Sequence, residues 1–240
     1  MTASIKLDLV IDEDFLVADV LSTQNLSPPA INALQRKSLA FDIWLSKFLL
    51  NHSTHPISVF SSSQTVKTKE LFEPLKKTAE YHRVLEETQA YREKVEQEWN
   101  TNLGNSLEFM KDITDLPLDK KYTVLITHPD SKNGIYLGER RIVWGCPPEF
   151  KNYNAVYLWH EILHDDENLG RDGDISHAII ELLDNSLRIN LNGGNLELRG
   201  HDHLDDIRKK IFDNDWRGYL TSPKKDILKF KQEMEIKYQK

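Results

Sequence analysis

Residues Ala155-Val156-Tyr157-Leu158-Trp159-His160-Glu161-Ile162-Leu163-His164 decide how this chain is read. An α-helix turns about 100° per residue, so two histidines four apart lie within about 40° of each other on one face. Their imidazole nitrogens can meet on one metal ion at about 2.0–2.1 Å. Glu161 is one residue on and rotated off that face, where its carboxylate reaches a water beside the ion rather than the ion itself. The residues around the three are apolar, which places the helix in a core. A bare His-Glu pair is costly there, and a metal removes the cost. The spacing therefore predicts a metal site suited to hydrolysis, with one Zn2+ ion as cofactor.

At this pentapeptide the chain resembles the zincin metallopeptidases. The likeness runs from Tyr157 to about Leu191. It departs from their pattern at Asp165, where an uncharged residue is usual, and Asp165, Asp166 and Glu167 are read as a helix end before the turn Asn168-Leu169-Gly170. These acids serve either as acceptors for the histidine N–H groups or as solvated charges.

A catalytic zinc takes three protein ligands. Ile175 to Leu191 has helical periodicity through Ala178, Ile179, Leu182, Leu183, Leu187 and Ile189, and Gly193-Gly194 ends it. The resemblance to the gluzincins, the glutamate-ligand zincins, implies Glu181 as third ligand, seventeen positions after His164. An acid flanked by Ile179, Ile180, Leu182 and Leu183 also needs a partner of some kind. His177, which gives a three-histidine site, and Asp174 are the rivals. The family's acid four positions after the glutamate falls on Asn185, with Asp184 one earlier. Asp184 can instead pair with Arg188 at i,i+4.

The chain has 240 residues, 39% hydrophobic and 29% charged, with a net charge of −7 and a mean hydropathy of −0.54. No apolar run approaches the ~20 residues of a membrane helix. The acidic balance, without a basic stripe, argues against a nucleic-acid partner. The single cysteine, Cys146, excludes an internal disulfide framework. Together with Met1–Lys6, which lacks a signal-peptide pattern, this predicts a cytoplasmic protein with no membrane partner.

The expected fold is α+β: a mainly helical region over 1–115 and a small zincin-like catalytic domain over 116–240, with a short antiparallel or mixed sheet beside the metal-binding helix. Residues 5–20 read as a short strand and a helical turn. Ser27-Pro28 opens an amphipathic helix to about Asn51, and a polar linker covers Ser53–Thr65. Tyr81, Val84, Thr88, Tyr91, Val95 and Trp99 mark a helix from Pro74 to about Asn100. Tyr122–Thr127, Gly134–Leu137 and Arg141–Trp144 read as strands, the last two joined through Gly138-Glu139-Arg140. A free edge of that sheet can take an extended peptide by strand addition. His201-Asp202-His203-Leu204-Asp205-Asp206 either caps a helix through Asp202 or binds a second ion. A last helix follows Ser222-Pro223, with Ile227, Phe230 and Met234 inward.

The sequence thus points to a zinc-dependent hydrolase of peptide or protein substrates. His160, His164 and Glu181 hold the ion, Glu161 is the general base, and His201, His203 or Tyr219 donates to the oxyanion, as the zincin resemblance implies. The alternatives are a zincin-fold binding module with a structural or vestigial metal, and a hydrolase of a non-peptide amide or ester.

Overall fold

A parallel pairing distant in sequence starts the sheet. In the computed structural model, which describes residues 5–22, 30, 31, 33, 72–165, 167–170, 173–194 and 197–238, β1 (Lys6–Val10) runs parallel to β2 (Lys121–Ile126), with Leu7 opposite Tyr122 and Val10 opposite Leu125. β2 is parallel to β4 (Arg141–Gly145), and β3 (Asn133–Gly138) is antiparallel to β4. The order is β1-β2-β4-β3, a mixed four-stranded sheet with the antiparallel strand at one edge. The β-branched run of β2 alternates, so Tyr122, Val124 and Ile126 fill the core. Glu139 and Arg140 both sit at positive φ, 51° and 58°, the twist that a two-residue hairpin turn demands.

Seven α-helices are present among the described residues: α1 (Glu13–Ser22), α2 (Ala79–Thr114), α3 (Tyr153–Leu163), α4 (Asp174–Asn192), α5 (Asp205–Ile211), α6 (Arg217–Thr221) and α7 (Ile227–Tyr238). The fold is α+β. The expected 28–51 helix lies almost wholly outside the described residues, and the 53–65 linker entirely so.

The Thr78 side chain caps α2 by accepting from Tyr81 N at 3.2 Å. All six stripe residues named above are buried. The helix does not stop near Asn100 but continues to Thr114, because the inward stripe carries on through Asn102, Ser106, Met110 and Ile113. Two of these are polar and invisible to a hydropathy pattern. Asn102 satisfies itself on Glu98 O and Asn152, and Ser106 on Leu103 O. α3 is buried over most of its length: Trp159 is fully buried and its ring lies 5.5 Å from that of Trp99 on α2. The sheet, the later part of α2, α3, α4 and the C-terminal helices share one core, while Leu16, Val17, Phe72, Tyr81 and Val84 belong to a smaller one. No described helix is long and apolar enough to cross a membrane.

Candidate metal centre

α3 ends at Leu163, and His164 is its C-cap, with φ −73° and ψ −5°. The turn after it satisfies the freed carbonyls: Leu169 N donates to Leu163 O at 3.1 Å, and Asn168 Nδ2 to Ile162 O at 2.8 Å. The same turn brings Gly170 O to His164 Nδ1 at 3.2 Å. A carbonyl only accepts, so His164 Nδ1 carries the hydrogen. His160 Nδ1 lies 2.6 Å from Asp184 Oδ2 on α4. Both imidazoles therefore have Nδ1 committed, and their Nε2 atoms face each other at 3.1 Å. With Nδ1 committed on each ring, the two Nε2 atoms turn on one point, and a single proton or a single cation placed there serves both.

His177, on the first turn of α4, completes the group. The ligand nitrogens of His160, His164 and His177 all lie within 4.8 Å of one another. His177 Nε2 is buried with no hydrogen-bond partner. Burial, and then the neighbouring histidines, depress its imidazole to about 3, so it is a neutral lone-pair donor. Burial also opposes the charged form of His160, but the Asp184 carboxylate and its hydrogen bond win and lift it to about 9. Three convergent imidazoles, one with an orphaned nitrogen and one steadied by a carboxylate, fit a divalent transition metal.

Glu181, the expected third ligand, is not in the group with His160 and His164. It is 2% exposed, but its Oε2 receives the guanidinium of Arg208 and its Oε1 accepts from His201 N and contacts His201 Nδ1, both at 2.7 Å. It belongs to a second group, His177, Glu181 and His201, that also lies within ligating distance, with Arg208 set against it. A buried acid needs a partner, and here the partner is a guanidinium. A sign of it stands in the sequence: Arg208 falls between Leu204 and Ile211 on the buried stripe of α5.

Three side chains on one face of α4 clamp the segment 197–201. Glu181 takes His201 N, Asn185 takes Arg199 N at 2.9 Å and gives to Arg199 O at 2.7 Å, and Arg188 gives to Glu197 O at 2.6 Å. Asp184 thus pairs with His160 and not with Arg188, and Asn185 serves the clamp. Gly200 is needed in it, because a Cβ there would run into Arg208 and Glu181.

Asp165 serves neither the histidines nor solvent. It is buried, accepts from Tyr122 OH at 2.8 Å and lies 3.7 Å from Lys120 Nζ. It ties the end of α3 to β2.

A cavity of about 550 Å³ opens beside His160 and Glu161, and His201, Glu181, Asp184 and Gly134 of the edge strand also line it. A Cβ on Gly134 would come 3.4 Å from Glu161 Oε1, so the edge strand runs directly past the carboxylate. His201 is half-exposed, with its ring 4.7 Å from that of His177. His203 is exposed and 5.6 Å further out, ring to ring. Asp174 is exposed at the start of α4 and in neither ligand group. Asp202 opens a 3-10 turn and makes no side-chain cap. Tyr219 is remote: its hydroxyl donates to Ile113 O at 2.5 Å, it packs on Trp216 and Phe230, and it lines a different cavity.

No protein-family model matches the chain, and no curated protein or solved structure matches it either.

Proposed function

We propose that this protein is a zinc-dependent hydrolase of peptide bonds, with the ion on His160, His164 and His177. The observation that carries the reading is the convergence of three imidazole nitrogens, of which His160 lines an open cavity together with the carboxylate of the next residue, Glu161. A structural site has no use for that carboxylate. The antiparallel edge strand passing Glu161 adds to it, because an extended peptide can pair there and lay its backbone across the cavity.

Zinc, when bound, supplies Lewis acidity, lowering the pKa of a water towards ~7 and polarising a carbonyl. The chain does the rest. Glu161 accepts a proton from the attacking water and returns it to the leaving nitrogen. Asp184 and Gly170 O hold the two α3 imidazoles in the tautomer that presents Nε2. Glu181, pinned by Arg208, fixes the His201 ring through Nδ1; with a hydrogen on both nitrogens, that ring can donate from Nε2 to the developing oxyanion. Glu181 is in this account a positioning residue.

Zinc titration of the metal-free protein, with hydrolysis of a peptide pool followed in parallel, tests the reading. One tightly held equivalent and a rate that chelator abolishes and zinc restores are expected. One equivalent without any hydrolysis would favour a metal-bearing binding module.

A further inference from the structure

Tyr153, Tyr157, His160 and His164 follow one another along α3 at steps of four, three and four, so they form one stripe. The rings of Tyr153 and Tyr157 are 4.6 Å apart, and those of Tyr157 and His160 are 6.0 Å apart. Both tyrosines are half-buried and line the cavity, with Leu198 also in its lining. The histidines thus stand at the end of an aromatic wall. Glu149 lines the same cavity, four residues before Tyr153.

Most charges around the cavity are already matched. Arg208 serves Glu181 and Asp205, Asp184 serves His160, and Arg199 serves Glu197. Among the described residues Glu149, Asp202 and Lys132 form no ion pair, which leaves two acids against one base.

We propose that this wall is a subsite for a basic side chain of the substrate, lysine or arginine, with its stem on Tyr153 and Tyr157 and its cation on Glu149. Long basic side chains are built for such a place, with apolar methylenes under a charged head. Aromatic faces attract the cation, and a guanidinium also stacks on them. A phenylalanine would cover the rings but leave Glu149 unmatched, and a glutamate would be repelled. The proposal rests on the peptidase reading, and two measurements keep their failures apart.

Binding of Nα-acetyl-arginine amide and Nα-acetyl-phenylalanine amide to the zinc-loaded protein is followed by NMR shift changes. Cleavage is measured on peptide pairs differing only by Arg, Phe or Glu at one position. The arginine compound should bind on the order of tenfold tighter than the phenylalanine one, and Glu149→Gln should remove most of that margin. Tyr157→Leu should weaken the arginine compound in particular, and cleavage should show the same order through KM more than kcat. Arginine preference without cleavage of any peptide supports the subsite and sinks the peptidase reading. Cleavage with no basic preference, or a preference that survives Glu149→Gln, overturns the subsite and leaves the reading standing.

Discussion

Replacing Glu181 and His177 in separate proteins divides the two ways of building this centre. Glu181 is 2% exposed and faces a guanidinium that is 4% exposed. Glu181→Gln keeps an oxygen for His201 but leaves Arg208 with Asp205, whose side chain is 62% exposed, as its one carboxylate among the described residues. Breaking a buried pair on one side costs about 3 kcal/mol, which for a chain of this size lowers the melting temperature by about 6–12 °C. Zinc affinity should stay within about threefold, because no ligand is lost. His177→Ala removes one of three imidazoles and should cost at least about 100-fold in zinc affinity, beyond the range for partners that merely orient a ligand. Its metal-free melting temperature should move little, since the ring is half-buried and its Nε2 has no partner to lose. Metal retention against a graded chelator, with melting of the metal-free proteins, reads both. Glu181→Leu combined with Arg208→Met separates folding from binding, because swapping both members of a buried pair for apolar residues is often near neutral. That double variant should regain most of the lost stability and keep its zinc. Zinc lost from both Glu181 variants but kept by His177→Ala would refute the three-histidine assignment.

Three further outcomes follow from the contacts. Asp184→Asn should weaken zinc binding by about 10–100-fold, since the carboxylate orients His160; an unchanged affinity in chelator competition would argue against that role. Gly200→Ala should lower hydrolysis and stability while zinc stays bound, because its methyl group displaces the clamp on His201 and not the ligands; the rate, melting temperature and metal content together decide it. Burial raises the Asp19 carboxyl from 3.8 to about 6. The folded protein then holds this proton more tightly than the unfolded chain, so the stabilisation is complete below about pH 4 and is lost as pH rises through 6. About 3 kcal/mol should go between pH 4 and 8 relative to Asp19→Asn, read from urea midpoints.

Local rules carried the stripe of α2, the bounds of α4 and the burial of the helix that holds His160 and Glu161. The stripe from Tyr81 to Trp99, the ends of α4 and the apolar bed of His160-Glu161 all follow from spacing of three and four, and the structure places them so. The β1–β2 pairing was not legible, because parallel register between residues more than a hundred apart leaves no local trace. Asp184 was hidden for the same reason, because which acceptor steadies His160 depends on how α4 crosses α3, whereas Gly170 O reaches His164 through the irregular turn after α3, whose path no periodicity announces. Glu181 shows the limit best. Its apolar neighbours announce a buried acid in need of a cation, and nothing local says whether a metal or an arginine twenty-seven residues on supplies it.

Hydrolysis by Glu161→Gln against the wild type, both loaded with one equivalent of zinc, tests the central claim most directly. The amide is nearly isosteric, Glu161 is buried between the edge strand and the cavity, and no ligand is touched. Zinc content and melting temperature should match the wild type. The rate on a peptide pool should fall by about 10²–10⁴-fold, the usual worth of a general base. Equal rates in the two proteins would contradict the account, because the carboxylate beside the three histidines would then have no part in the chemistry.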